Sequence, residues 1–383
     1  MPHVARIALP ADAPHAPTAL ARTSRRTGAD HDAIVIGAGQ AGLAAAYHLR
    51  RAGLRFIVLD AHDELGASWE RRWDSLRLFT PARYNGLPGL AFPGERCALP
   101  GKADVAAYLR RYAATFDLPV RLRSAVSALD HEHGRFVIRL ANGASLTAAA
   151  VIVATGANQR PYVPSFASAL APAIVQLHSD EYRRPAQIPD GKVLVVGAGN
   201  SGVQIALELA EAGREVVLSG RHPGTLPRRV LGRDIYDWLW PTLMRPTLDS
   251  ALGRRLMRGR LFAGDPIVGM PSNALDRRGL SRASKTVGSQ DAYPRLDDGT
   301  VARDISAIVW CTGFRPDFGW IELPVLGLDG YPVHSRGIAD GVPGLAFLGM
   351  RFQYRMNSAL LGGVGADAAY VVRQIATSIA RSR

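Results

Sequence analysis

Gly37, Gly39 and Gly42 stand in the order G-x-G-x-x-G within HDAIVIGAGQAGLAAAYHLRRAGLRFIVLD, residues 31–60. In a phosphate-binding turn each glycine has its own task. The first permits the tight bend, the second lets the backbone approach a pyrophosphate, and the third lets the next helix pack on the strand. Gln40 and Ala41 open that helix, whose free N–H groups and positive dipole end favour an anion. Asp60 follows at the end of the next apolar run, where a carboxylate accepts hydrogen bonds from a ribose diol.

The pattern occurs twice. KVLVVGAGNSGVQIALELAEAGREVVLSGR, residues 192–221, carries Gly197, Gly199 and Gly202 at a constant offset of 160 from the first set, with Asn200 and Ser201 at the helix start. The acid does not return. At that offset from Asp60 stands Gly220, between Ser219 and Arg221. A carboxylate would repel the 2′-phosphate of NADP, whereas an arginine pairs with it. The second loop is therefore expected to prefer NADPH over NADH. The competing possibility is that Arg221 is one solvated arginine among many.

The elements that must hold these residues follow from the pattern. Short apolar runs at 33–36, 56–59, 193–196 and 215–218 read as buried parallel strands. Helices are expected over 43–51, closed by Gly53, and over 203–212. Two more strands end alike, one in Ala154-Thr155-Gly156 and one, starting at 305, in Thr312-Gly313. Each such strand-plus-Thr-Gly is expected to cross between domains, close to the nucleotides. A strand over 344–350, containing Gly349, and a helix over 357–380 complete the chain.

The fold class is accordingly α/β, with two Rossmann-like dinucleotide-binding domains. The expected division is an extension over 1–30, a first nucleotide domain over 31–160 that resumes over 305–383, and a second inserted over 161–304. Within the insert, 222–300 is the obscure part. Its aromatic cluster Tyr236, Trp238 and Trp240 either walls a substrate pocket or belongs to the core.

Composition narrows the function classes. The chain has 383 residues, 47% of them hydrophobic, enough for two domains with a large core. No run approaches the roughly 20 apolar residues of a membrane span. The net charge of +13 comes nearly all from arginine, and no basic run or recognition motif points to nucleic acid. Cys97 and Cys311 are far apart and form no C-x-x-C, which argues for a reducing, cytoplasmic setting and against a dithiol–disulfide reductase. Residues 1–30 lack apolar periodicity and read as a disordered extension; SRRTG at 24–28 resembles a twin-arginine signal, but no apolar export segment follows. The sequence does not fix the oligomeric state, and a homodimer is compatible with it.

With these motifs placed, the chain from Asp32 onward resembles the class B flavin-dependent monooxygenases, the flavin-containing and YUCCA-type enzymes among them. GASWERRWDSLRLFTPARYNGLPGLAFP, residues 66–93, looks like the family's flavin-contacting segment, with Ser68, Trp69 and Arg77. QLHSDEYRRP, residues 176–185, matches the family fingerprint at His178 and Tyr182; Pro172 and Ile174 stand where it has Phe and Gly. Pro81 replaces the asparagine of amine-oxidising members, which puts amine N-oxidation in doubt.

The resemblance implies FAD on the first loop and NADPH on the second, with Val126 and Gly349 as further cofactor contacts. It implies that NADPH reduces FAD, that the reduced flavin forms a C4a-(hydro)peroxide with O2, and that one oxygen atom passes to a small organic substrate. His178 and Tyr182 are the candidate catalytic residues, through the domain geometry they set. No metal cluster is expected. Two alternatives stay open: an NADPH-dependent flavin oxidoreductase serving a quinone or protein acceptor, and a nucleotide-sensing regulator.

Overall fold

A computed structural model of the protein describes residues 31–221, 224–258, 266–269 and 280–381. The expected extension over 1–30 lies outside them. Two sheets dominate, the first mixed with a parallel centre and the second parallel, each built around one glycine loop.

The first sheet centres on β1 (His31–Ile36). After the loop come α1 (Gln40–Arg51) and β2 (Phe56–Leu59), then α2 (Lys102–Thr115) and β3 (Val120–Arg121). β1 pairs in parallel with β2 on one side and with β4 (Ser145–Val153) on the other. The register Val35↔Val58 and Val35↔Ile152 brings both neighbours level with the loop. An antiparallel hairpin, Val126–Glu132 with Arg135–Leu140, joins the same sheet along β4.

The second sheet has five parallel strands. In chain order they are β5 (Val175–His178), β6 (Lys192–Val196), β7 (Glu215–Ser219), β8 (Ser281–Ala283) and β9 (Ile305–Trp310); in space the order is β8-β7-β6-β9-β5. α3 (Asn200–Glu211) connects β6 to β7. Val193, Leu194 and Val195 are fully buried, as near-continuous apolar strands between covered faces must be. Each such side chain contributes about 1.5–3 kcal/mol.

Two expectations need correction. The domain boundary at 305 falls inside the wrong sheet, because β9 hydrogen-bonds to β6 and β5 and so belongs to the second unit. The chain returns to the first sheet through two short strands, His334–Ser335 and Ile338–Ala339, and then β10 (Leu345–Phe347), which lies beside β4. The final helix, α5 once α4 (Ile235–Leu239) is counted, spans Val364–Arg381 rather than starting at 357. A Cβ on Gly362 would collide with the Tyr84 carbonyl, and one on Gly363 with the Asn357 carbonyl. The stretch before Val364 is thus packed tightly as a turn. α5 then buries Val364, Ala368, Val371, Val372, Ile375 and Ile379, one stripe at helical spacing, in the core it shares with α1.

Candidate functional site

The first loop has the geometry its glycines foretold. Gly37 has φ +104°, a left-handed value that favours glycine, and a Cβ there would stand 2.5 Å from the Ala154 carbonyl oxygen. A Cβ on Gly42 would collide with the Gly37 carbonyl. Around Gly39 the opposite holds: a Cβ would meet nothing within 4 Å. That open cradle, at the head of α1 with Gln40 and Ala41, is where a pyrophosphate fits. Gly349 is brought against it, since its Cβ would lie 2.8 Å from the Ala41 Cβ.

Asp60 stands at the rim and braces the loop. Its Oδ2 accepts the Ala38 N–H at 2.6 Å, and its Oδ1 accepts the His62 N–H at 2.9 Å and faces His62 Nδ1 at 2.8 Å. An ionised carboxylate has about four acceptor positions, so one remains for a ribose hydroxyl. Ser124 donates its N–H to the Asp60 carbonyl at 2.7 Å, which brings Val126, two residues on, to the same end of the sheet.

The second loop repeats the first. Gly197 has φ +110°, with Cys311 where the first unit has Ala154, and Gly199 again opens on free space. Asn200 and Ser201 are half-buried at the start of α3. Gly220 has φ +140°, and a Cβ there would lie 3.0 Å from the Ala198 nitrogen. Arg221 is exposed at the end of β7. Ser219, expected as a cofactor contact, turns its side chain inward. It is fully buried, donates to the Ser284 carbonyl at 2.7 Å and bonds Thr286.

The two Thr-Gly crossings meet. Arg160–Pro161, beyond Thr155 and Gly156, pairs antiparallel with Phe314–Arg315, beyond Thr312 and Gly313. Thr312 Oγ1 donates to the Tyr162 carbonyl, and Tyr162 N–H donates to the Gly313 carbonyl at 2.9 Å. This ribbon is the hinge between the units. His178 braces it. Its Nδ1 accepts the Asp180 N–H at 3.0 Å, which leaves Nε2 protonated to donate to the Gly313 carbonyl at 3.0 Å. Burial holds the imidazole below its ordinary pKa. Tyr182 is fully buried and donates to Glu208 Oε2 of α3 at 2.8 Å. Neither residue lines the cavity beside Arg77. Both brace the linker and the ribbon, in keeping with a part played through the domain geometry.

The flavin-like segment is wedged between the units. Trp69 and Leu78 pack against both cores, while Trp73 and Leu76 are buried in the second one. Arg72 bridges to Asp180 at 2.8 Å. Ser68 and Arg77 are exposed. Arg77 lines a cavity of about 750 Å³ with Leu78, Asn200, Gln204, Arg228 and Arg233. The volume suits a small organic molecule.

Three groups of residues that matter here carried no sequence signal: Arg72 with Asp180, Gln204, and a knot in which Arg83 Nη2 and the Tyr84 hydroxyl donate to Asp237 Oδ1 at 2.8 and 2.5 Å. Through that knot, α4 docks on the first unit. Tyr236 and Trp240 pack in a small core there, and Trp238 is partly exposed. None of the three aromatics lines the cavity. The far part of 222–300 supplies β8 to the second sheet, so it is not all lid. Both described cysteines are free, and loss of solvation pushes the Cys311 thiol up to about 12. Among the described residues no cluster suits a metal ion, and no helix is long and apolar enough to cross a membrane.

Residues 34–248 match the pyridine nucleotide-disulphide oxidoreductase family. A flavin-containing monooxygenase structure from Stenotrophomonas maltophilia aligns at 32% identity and TM-score 0.75, over 91% of this chain and 98% of that one. The chain belongs to the class B flavin-dependent monooxygenase family. This member is similar to an uncharacterised CzcO-like oxidoreductase of Geobacillus kaustophilus, 40% identical over 90% of this chain and 98% of the relative. It is also similar to the rice indole-3-pyruvate monooxygenase YUCCA1, 38% identical over 52% of this chain and half the length of that enzyme. Membership makes the protein a flavin-dependent oxidoreductase.

Proposed function

We propose that the protein is an NADPH-dependent FAD monooxygenase that inserts one oxygen atom of O2 into a small organic substrate. The observation that carries this is the pair of loops with one backbone geometry and opposite chemistry at the rim: Asp60 on the first, Gly220 and Arg221 on the second. FAD fits the first loop, where Gly37, Gly39 and Gly42 leave an open cradle and Asp60 keeps an acceptor for ribose. NADPH fits the second, where no carboxylate opposes the 2′-phosphate.

Bound flavin supplies the store for two electrons and the centre that meets dioxygen. The chain's part is to bind, orient and exclude water. The hinge ribbon, held by His178, and the wedge of Trp69 and Leu78 fix one unit over the other. The cavity beside Arg77 admits the substrate. The two cysteines give the electrons no onward dithiol path, since Cys97 is exposed, Cys311 is half-buried and neither is paired. Free thiols also fit a reducing compartment such as the cytoplasm.

The test is direct. Purified protein is expected to carry FAD, to oxidise NADPH faster than NADH, and to place ¹⁸O from ¹⁸O2 in a product. Rapid reduction of quinones with no labelled product would favour the reductase alternative.

A further inference from the structure

Hydride transfer needs donor and acceptor carbons in near contact, so the registry of the two units matters as much as the loops themselves. One contact is placed to set it. Gln204 lies four residues after Asn200 on α3, so the two share a face one turn apart. Its Nε2 donates to the Arg77 carbonyl at 3.0 Å, and its Oε1 accepts the Arg77 N–H at 3.2 Å. The amide thus occupies both hydrogen-bonding groups of one residue in the wedge, much as a neighbouring strand would. The partners are 127 residues apart and belong to different units. On its other side the same stretch is tied to the first unit by a bridge between Arg77 and Gly101, and Leu78 donates its N–H to the Pro100 carbonyl at 2.8 Å.

We propose that Gln204 is a positioning residue for hydride transfer. By clipping the Arg77 backbone it fixes the flavin-side wedge at the head of α3, the end of the helix where the phosphates of NADPH bind. The inference rests on the functional assignment above. The step it serves moves one hydride, carrying two electrons, from NADPH to FAD and leaves NADP⁺ and reduced flavin. Gln204 is no proton donor and no cofactor ligand in this role. It sets the distance and angle between two bound nucleotides. Alanine at this position removes both bonds. Glutamate keeps the acceptor for the Arg77 N–H but presents no donor to the Arg77 carbonyl.

The experiment compares wild type, Gln204→Ala and Gln204→Glu in anaerobic stopped-flow reduction by NADPH and by its 4-deuterated form. FAD content, melting temperature and NADP⁺ affinity are measured on the same samples. For Gln204→Ala we expect full FAD content, a melting temperature close to wild type and NADP⁺ affinity within about threefold, with a limiting reduction rate lower by about tenfold and still isotope-sensitive. Gln204→Glu should fall between. An unchanged limiting rate in Gln204→Ala would overturn the clip. So would loss of FAD or a large fall in melting temperature in both variants, which would show support of the fold alone. If wild type itself is not reduced by NADPH, the functional assignment fails and the clip with it.

Discussion

In the first unit the Asp60 carboxylate accepts the Ala38 N–H at 2.6 Å; at the same place in the second, Gly220 stands opposite Ala198 with no side chain to offer. Everything beneath that point is alike. The first glycines have φ +104° and +110°, and Gly39 and Gly199 cap their helices at φ −72° and −78°. In both units a Cβ on the third glycine would strike the carbonyl of the first. On the proposed assignment the backbone makes a general phosphate cradle, and the residue ending the second strand sets which nucleotide it suits. Asp60 uses most of its capacity on the protein and keeps the loop stiff. Gly220 and Arg221 leave the rim open and cationic.

The largest effects should come from the glycines, and they separate the two loops. Gly39→Val points into empty space in the protein but into the path of the pyrophosphate. It should yield folded, colourless protein with a near-normal melting temperature. Gly199→Val should leave the protein yellow and abolish its reduction by NADPH. Gly42→Val, by contrast, should fail to fold, because the collision is with backbone that cannot move aside. A yellow Gly39→Val protein with full flavin content would break the assignment of FAD to the first loop.

Next comes the rim. Arg221→Ala should raise the NADPH Michaelis constant by about ten- to a hundredfold, the range for loss of a charge-assisted contact, and leave NADH little changed. Equal effects on both nucleotides would show that Arg221 does not read the 2′-phosphate. Grafting the acid of the first loop, Gly220→Asp, should not simply convert the preference to NADH. A side chain at φ +140° is strained and crowds the Ala198 nitrogen. The expected outcome is a less stable protein with both nucleotides weakened.

Much of this was legible in the sequence because it is local. A buried strand, a glycine turn and an alanine-rich helix are written within 20 or so residues, and so was the loss of the acid at Gly220. What stayed hidden depends on long-range packing. A buried strand such as Ile305–Trp310 reads the same whichever sheet takes it, so the domain boundary was misplaced. The sequence did not show which way Ser219 faces at the end of its strand. The contacts of Gln204 with Arg77, and of Asp237 with Arg83 and Tyr84, join residues more than 120 positions apart, and no spacing announces them. His178 and Tyr182 were read as setting the domain geometry, but the partners through which they could do so, Gly313 and Glu208, are far away in sequence.

His178 sharpens the comparison at the hinge, where it braces the crossing of the second unit. His178→Ala should retain FAD and loosen the Gly313 turn, so that NADPH is oxidised with several-fold less product and correspondingly more hydrogen peroxide. Its pH dependence has a defined sign. The imidazole is held neutral in the fold, so the unfolded chain binds the extra proton first. The stability it contributes is complete above its ordinary pKa of about 6.5 and declines as pH falls below it. Wild type should therefore lose more melting temperature between pH 8 and pH 5 than His178→Ala does. Parallel curves would remove His178 as the source.

The smallest expected effect falls on Tyr182, which ties the linker to α3 as Asp60 ties the first loop to its strand. The two braces differ in what else they must do. On the proposed assignment Asp60 also serves the nucleotide, so changing it should affect binding as well as stability. Tyr182 faces only Glu208, through one hydrogen bond at 2.8 Å inside the second core. Tyr182→Phe keeps the ring and its packing and deletes that bond. A bond from a neutral donor to a carboxylate contributes about 1.5 kcal/mol or somewhat more, and part is regained when Glu208 finds water. The melting temperature should fall by a few degrees. FAD content and the NADPH Michaelis constant should stay at wild-type values, because the phenol touches neither loop. Calorimetry alongside a flavin spectrum and a steady-state assay checks all three. If Tyr182→Phe instead matched His178→Ala in diverting NADPH to peroxide, the linker would act as one unit with the hinge, and the division between a brace for the fold and a brace for the geometry of transfer would have to be given up.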